Sequence, residues 1–258
     1  MKYNCKLIIT GNVVEVYHYE KSVLRGKDLK SARARKEGKK MSEGTSELCD
    51  TNKSLKDSLR RTRNTIRRTV NSNIGKWGEK EKFLTLTFKD NMTDQTETNK
   101  LFRKFVKQLS YSIFKTESGL KYLCVVERQE RGAIHYHVLF FNLPYVPVEK
   151  IAEIWGHGFV KINAIDKVDN VGAYVVKYMG KTIVENSEKS AKEKDKKLYF
   201  VSRGLHKPVE YSNATEKGDK EIATFLYEMQ DFKVYENTFE NEHLGKIKYE
   251  QYNVNRQQ

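Results

Sequence analysis

The chain is poor in cysteine, in acidic residues relative to basic ones, and in long apolar runs. Its 258 residues include three cysteines, Cys5, Cys49 and Cys124, widely separated and in no CxxC pair. An odd, scattered set argues against a disulfide framework and a cysteine-built zinc site, and for a reducing compartment. No apolar run approaches the roughly 20 residues of a membrane span. The opening residues, Met1 to Thr10, lack the apolar core and small-residue cleavage site of a signal peptide. The expectation is an intracellular, cytoplasmic protein without a membrane partner. A phosphate-binding loop of the Gly-x4-Gly-Lys-Ser/Thr kind is also missing, so no ATPase or helicase module of that type is encoded.

What the chain has in excess is positive charge. Lys and Arg number 48 against 34 Asp and Glu, a net charge of +14. An excess of that size points to a polyanionic partner, nucleic acid or an acidic membrane surface. Hydrophobic residues make up 38%, little for a compact domain of this length, so some charged segments are expected to be solvated arms. Lys21 to Asp50 reads as such a loop. Between Ser54 and Val70, Leu55, Leu59, Ile66 and Val70 recur at helical spacing. Arg60, Arg61, Arg63, Arg67 and Arg68 fill the other faces. A solvated helix face is the plain alternative, but five arginines with no acid among them favour a helix that contacts phosphates.

The most informative stretch runs from Glu127 to Phe141. Tyr122 to Glu127 and Ala133 to Phe141 read as two strands joined by a polar turn containing Gly132. Alternation on a strand puts His135 and His137 on one face, and the hairpin brings Glu127 beside them. A single strand histidine is usually a satisfied core residue. Two on one face of an apolar strand both need partners. Two imidazoles and a carboxylate form a mixed N/O set that suits Mg2+ or Mn2+ better than a structural zinc.

Other elements bracket this hairpin. Cys5 to Ile9 and Val13 to Tyr19 read as a first hairpin. Phe83 to Phe88 reads as a strand with Phe83, Thr85 and Thr87 on one face. Thr93 or Asp94 caps a helix to about Phe114. A short helix spans about Val148 to Trp155, with His157 in the turn after it, and Phe159 to Asn163 reads as a strand. Asp169 is a plausible N-cap for a helix that carries Tyr174 and Tyr178 on one face, each followed three residues later by a lysine, Lys177 and Lys181. Packing tyrosines on an amphipathic helix are the plain alternative. Beside a metal site these residues read as a nucleophile pair with cationic neighbours. Leu198 to Ser202 could return as a strand, Asp219 to Phe232 has weak helical character, and the last stretch holds alternating aromatics.

Three of these motifs, in this order, resemble those of the HUH endonucleases, in particular rolling-circle replication initiators of small single-stranded DNA phages and plasmids. The hydrophobic-threonine strand is matched by Phe83-Leu-Thr-Leu-Thr-Phe88. The His-hydrophobic-His strand is matched by His135-Tyr136-His137, with Glu127 as the acidic third ligand. The tyrosine helix is matched twice in overlap, by Tyr174-Val-Val-Lys177 and Tyr178-Met-Gly-Lys181. The resemblance implies an α+β fold with a central antiparallel sheet of about five strands flanked by helices. It divides the chain into an N-terminal hairpin and charged loop (1–50), an endonuclease domain including the basic helix (51–205) and a C-terminal extension (206–258). It implies a divalent metal, Mg2+ or Mn2+, and a tyrosine that nicks single-stranded origin DNA, leaving a 5′-phosphotyrosine link and a 3′-OH. A host polymerase and a borrowed helicase in a bacterial cell are implied partners. The alternatives are a relaxase or single-strand transposase of the same superfamily, a water-using metal-dependent hydrolase and a non-catalytic DNA-binding protein.

Overall fold

The computed structural model describes residues 1–24, 48–78, 81–165, 170–176 and 198–256, with the backbone alone for 48–56. The chain divides into two compact units, 54–206 and a second made of 1–53 with 207–258. Both are mixed α and β, and every strand pairing is antiparallel.

In the terminal unit β1 (Lys2–Thr10) and β2 (Val13–Leu24) form a hairpin around Gly11. Later come β8 (Val209–Ser212), helix α5 (Glu216–Glu228), β9 (Lys233–Asn241) and β10 (Gly245–Asn253). These strands make one five-stranded sheet in the order β8-β1-β2-β10-β9. Cys5, Leu7, Val14, Val16 and Tyr252 pack with Ile222 of α5. The two ends of the chain thus share one core, which the sequence pattern did not suggest. Two boundaries also differ from expectation. Strand β2 continues through Lys21 to Leu24, where charge density suggested a loop, and α1 (Leu48–Asn71) begins before Asp50. Cross-strand pairing to β1 at Val23 and Leu24 outweighs the local polarity.

The other unit carries β3 (Lys82–Leu86), α2 (Gln95–Phe114), β4 (Tyr122–Arg128), β5 (Ile134–Phe140), α3 (Val148–Trp155), β6 (Val160–Ala164) and β7 (Tyr199–Val201). Its five strands run β6-β3-β5-β4-β7, so the histidine strand is central, as the resemblance implies. A further helix, α4, occupies 171–176.

Alternation divides this sheet cleanly. One face, with Leu84, Leu86, Cys124, Val126, Tyr136, Val138 and Phe140, packs under α2 and α3 through Phe102, Phe105, Leu109, Ile151 and Trp155. Helix α2 starts where expected, because the Asp94 carboxylate accepts the N–H groups of Thr96 and Glu97. The opposite face, with Leu123, Val125, Leu139 and Phe141, packs against Ile66 and Val70 of α1 and Val171 and Val175 of α4.

Candidate functional site

Tyr136, the residue between the two histidines, decides where they point. Its ring is fully buried under α2, stacked on Phe102 at 4.7 Å, and its hydroxyl lies 3.0 Å from Thr98 Oγ1 and 2.7 Å from Asn99 Oδ1. Burial pushes the phenol well above its ordinary pKa, so it remains a neutral hydrogen-bonding group. With Tyr136 locked on one side, His135 and His137 must project to the other, the face that carries α1 and α4.

Glu127 joins them there. Strand β4 pairs Glu127 directly opposite His135. The β4–β5 turn is closed by Gln129 N–H to the Ala133 carbonyl at 2.9 Å, and Gly132 takes φ +89°, which an L side chain resists. Glu127 Oε2 lies 2.7 Å from His137 Nε2 and 3.8 Å from His135 Nδ1. The side chains of Glu127, His137 and His135 keep 27%, 19% and 12% exposure respectively, so solvent reaches the carboxylate more than the rings.

Each ring has a second partner. Thr85 Oγ1 is 3.2 Å from His137 Nδ1, and Phe83 stacks on the same ring at 5.9 Å. A carboxylate only accepts, so a neutral His137 donates from Nε2 and takes the Thr85 hydroxyl proton at Nδ1. Gln129 Nε2 donates to His135 Nδ1 at 3.2 Å. Burial lowers the His135 pKa below 6.5; Glu127 opposes that shift but is the smaller influence. Thr85 and Gln129 had no assigned role in the sequence reading. The shared face of Phe83 and Thr85 was its one available sign.

Whether these groups suit a divalent cation can be judged from the donors. One Glu127 oxygen lies within 3.8 Å of a nitrogen on each imidazole, a hard-to-borderline set appropriate to Mg2+ or Mn2+. As they stand the donors are engaged in mutual hydrogen bonds, and among the described residues no three His, Cys, Asp or Glu side chains form a ready coordination shell. The donors are therefore right in kind and close in space, and accepting an ion requires the Glu127–His137 bond to open.

On the same face Tyr174 projects from α4 and is 39% exposed, while Val171 and Val175, on the other side of the helix, are buried. The expected cap, Asp169, lies outside the described residues. The cap found is Asn170, whose Oδ1 accepts the Ala173 N–H at 2.9 Å. Lys177, Tyr178 and Lys181 also lie outside the described residues. Of the arginines in α1, Arg60 and Arg61 are exposed, and Arg63, Arg67 and Arg68 are half-buried. Asp57, just before the arginine run, lies 3.5 Å from Arg60 and its carbonyl accepts from Arg61 at 3.2 Å. His157 is exposed in the turn after α3, against Trp155 and Phe88 on the α2/α3 side of the sheet, away from the other two histidines.

No curated protein and no solved structure matches this chain. Residues 81–183, which run from β3 through the histidine hairpin to the tyrosine helix, match a family model of replication-associated proteins, the ORF2 type.

Proposed function

We propose that the chain is a replication initiator that nicks and rejoins single-stranded origin DNA through a tyrosine. The observation that carries this reading is the convergence of Glu127, His135 and His137 on the sheet face that also bears the Tyr174 helix. The match of residues 81–183 to a replication-associated family supports it independently.

Glu127, His135 and His137 would hold Mg2+ or Mn2+, which when bound withdraws charge from the scissile phosphate. The remaining work belongs to the chain. The arginines of α1 bind backbone phosphates, a contact that carries affinity without sequence. A phenolic oxygen of Tyr174 or Tyr178 attacks phosphorus in line. The Tyr O–P bond forms, the P–O3′ bond breaks, the phenol gives up its proton and the 3′ oxygen gains one. Lys177 and Lys181 are the nearest cations in sequence and would offset the charge on the attacking or departing oxygen. A second tyrosine allows the reverse transfer, in which one holds the strand while the other attacks. A host helicase and polymerase would supply unwinding and synthesis.

The test is nicking of single-stranded oligonucleotide pools drawn from the replicon that encodes the chain. Wild-type protein with Mn2+ should cleave, and His135→Ala and His137→Ala should not. Cleavage that survives both substitutions would overturn the reading. The same superfamily's relaxases order their motifs differently, with the tyrosine before the histidines, whereas here the histidine strand β5 precedes the tyrosine helix α4.

A further inference from the structure

The start of the tyrosine helix is held by the end of the arginine helix. Asn71, the last residue of α1, is 4% exposed. Its Oδ1 accepts the Gly172 N–H at 2.8 Å, and its Nδ2 donates to Asn170 Oδ1 at 3.1 Å. That Asn170 oxygen also accepts the Ala173 N–H at 2.9 Å, and the Asn170 carbonyl accepts the Tyr174 N–H at 3.1 Å. The two helices meet backbone to backbone here. A methyl group on Gly172 would lie 2.5 Å from the Arg67 carbonyl oxygen and 2.5 Å from Asn71 Oδ1. Beneath this contact Ile66 and Val70 share one core cluster with Val171 and Val175.

We infer that Asn71 is a positioning residue, which ties the first turn of the tyrosine helix to the arginine helix so that DNA held on α1 fixes where Tyr174 stands. The inference rests on the proposed nicking activity and extends it to a coupling between strand capture and attack. A helix leaves its first N–H groups without internal partners, and a short helix depends on outside contacts for its order. In α4 the Gly172 N–H is satisfied by Asn71 and the Ala173 N–H by Asn170. The Asn71 amide accepts from Gly172 and donates to Asn170 at once. Leucine at 71 would keep the volume and strand both groups. Aspartate would keep the acceptor toward Gly172, with a charge that a helix N-terminus favours.

The experiment compares wild type, Asn71→Leu and Asn71→Asp in three readouts. These are affinity for a labelled single-stranded oligonucleotide, rate of covalent adduct formation with Mn2+, and amide hydrogen exchange of residues 171–176 with and without the oligonucleotide. Thermal melting shows that each variant is folded at the assay temperature. Asn71→Leu should bind DNA as wild type does yet form adduct about 100-fold more slowly, the scale of an ångström's misplacement of a reacting group. Asn71→Asp should recover most of the rate. DNA should slow exchange at 171–176 in wild type and not in Asn71→Leu. A wild-type adduct rate in Asn71→Leu, or equal slowing of exchange in both proteins, overturns the inference. So does a lost rate that Asn71→Asp fails to restore. If wild type forms no adduct, the nicking reading fails by itself, and the exchange comparison still decides the coupling. No slowing of exchange in wild type overturns it.

Discussion

His137 Nε2 is bonded to Glu127 Oε2 at 2.7 Å across two strands, although the residue directly opposite Glu127 is His135. The carboxylate reaches diagonally and therefore spans both histidines. Glu127→Gln preserves a hydrogen-bond acceptor for His137 and removes the charge. It should leave the fold intact and weaken Mn2+ binding by at least about 100-fold, the upper end of what even a supporting residue costs at a metal site. Titration calorimetry with Mn2+ checks this. Unchanged affinity would remove Glu127 from the donor set.

Thr85 should matter through His137. In the hydrogen-bonded arrangement the Thr85 hydroxyl donates to Nδ1, 3.2 Å away. A ligating Nε2 must give up its proton, which leaves the proton on Nδ1, and the same hydroxyl can then accept it. Thr85→Val removes that group at nearly constant shape. The expected result is a loss of about 10- to 100-fold in Mn2+ affinity, with Thr85→Ser close to wild type. Equal affinities in Thr85→Val and wild type would show that the hydroxyl plays no part.

Gly158 should be intolerant of a side chain for reasons of space. A methyl group there would meet the Thr87 carbonyl, with Lys89 N at 2.7 Å and the Phe88 carbonyl carbon at 2.8 Å, all backbone atoms that cannot rotate away. Gly158→Ala should cost about 1–3 kcal/mol of stability, the usual range for overpacking. Denaturant unfolding measures it, and an unchanged midpoint would contradict the packing described for the turn after α3.

Cys5 should make stability fall in alkali. Burial pushes its pKa to about 11 from 9.0, and Glu250 adds to the shift while a backbone hydrogen bond opposes it. Between those two values the unfolded thiol has released its proton and the folded one has not. The unfolded state then binds fewer protons, so stability decreases as pH rises through that window and is unaffected below pH 9. Cys5→Ala should flatten this part of the profile. Parallel profiles for the two proteins would contradict the assignment.

Much of the site unit was legible because its signals are short-ranged. The alternation of His135, Tyr136 and His137 fixed their faces, and Asp94 marked the start of α2 by the capping chemistry it performs. The central place of β5 came from the family resemblance, since strand order depends on pairings between distant segments. The terminal sheet was illegible for the same reason: β2 pairs with β10 from the far end of the chain, as in Val16 to Glu250. Asn71 gave no sign either. A lone asparagine at a helix end reads as an ordinary cap signal, and its role appears only when Gly172 is brought beside it.

The account stands or falls on whether a tyrosine becomes joined to DNA. The direct measurement is to trap the product of Mn2+-supported cleavage on a denaturing gel, digest it, and map the DNA-linked peptide by mass. The account predicts a link at Tyr174 or Tyr178, lost in the double Phe variant and in His137→Ala. Cleavage that leaves no protein on the DNA, or that persists in the double Phe variant, would contradict it and assign the site to a water-using nuclease.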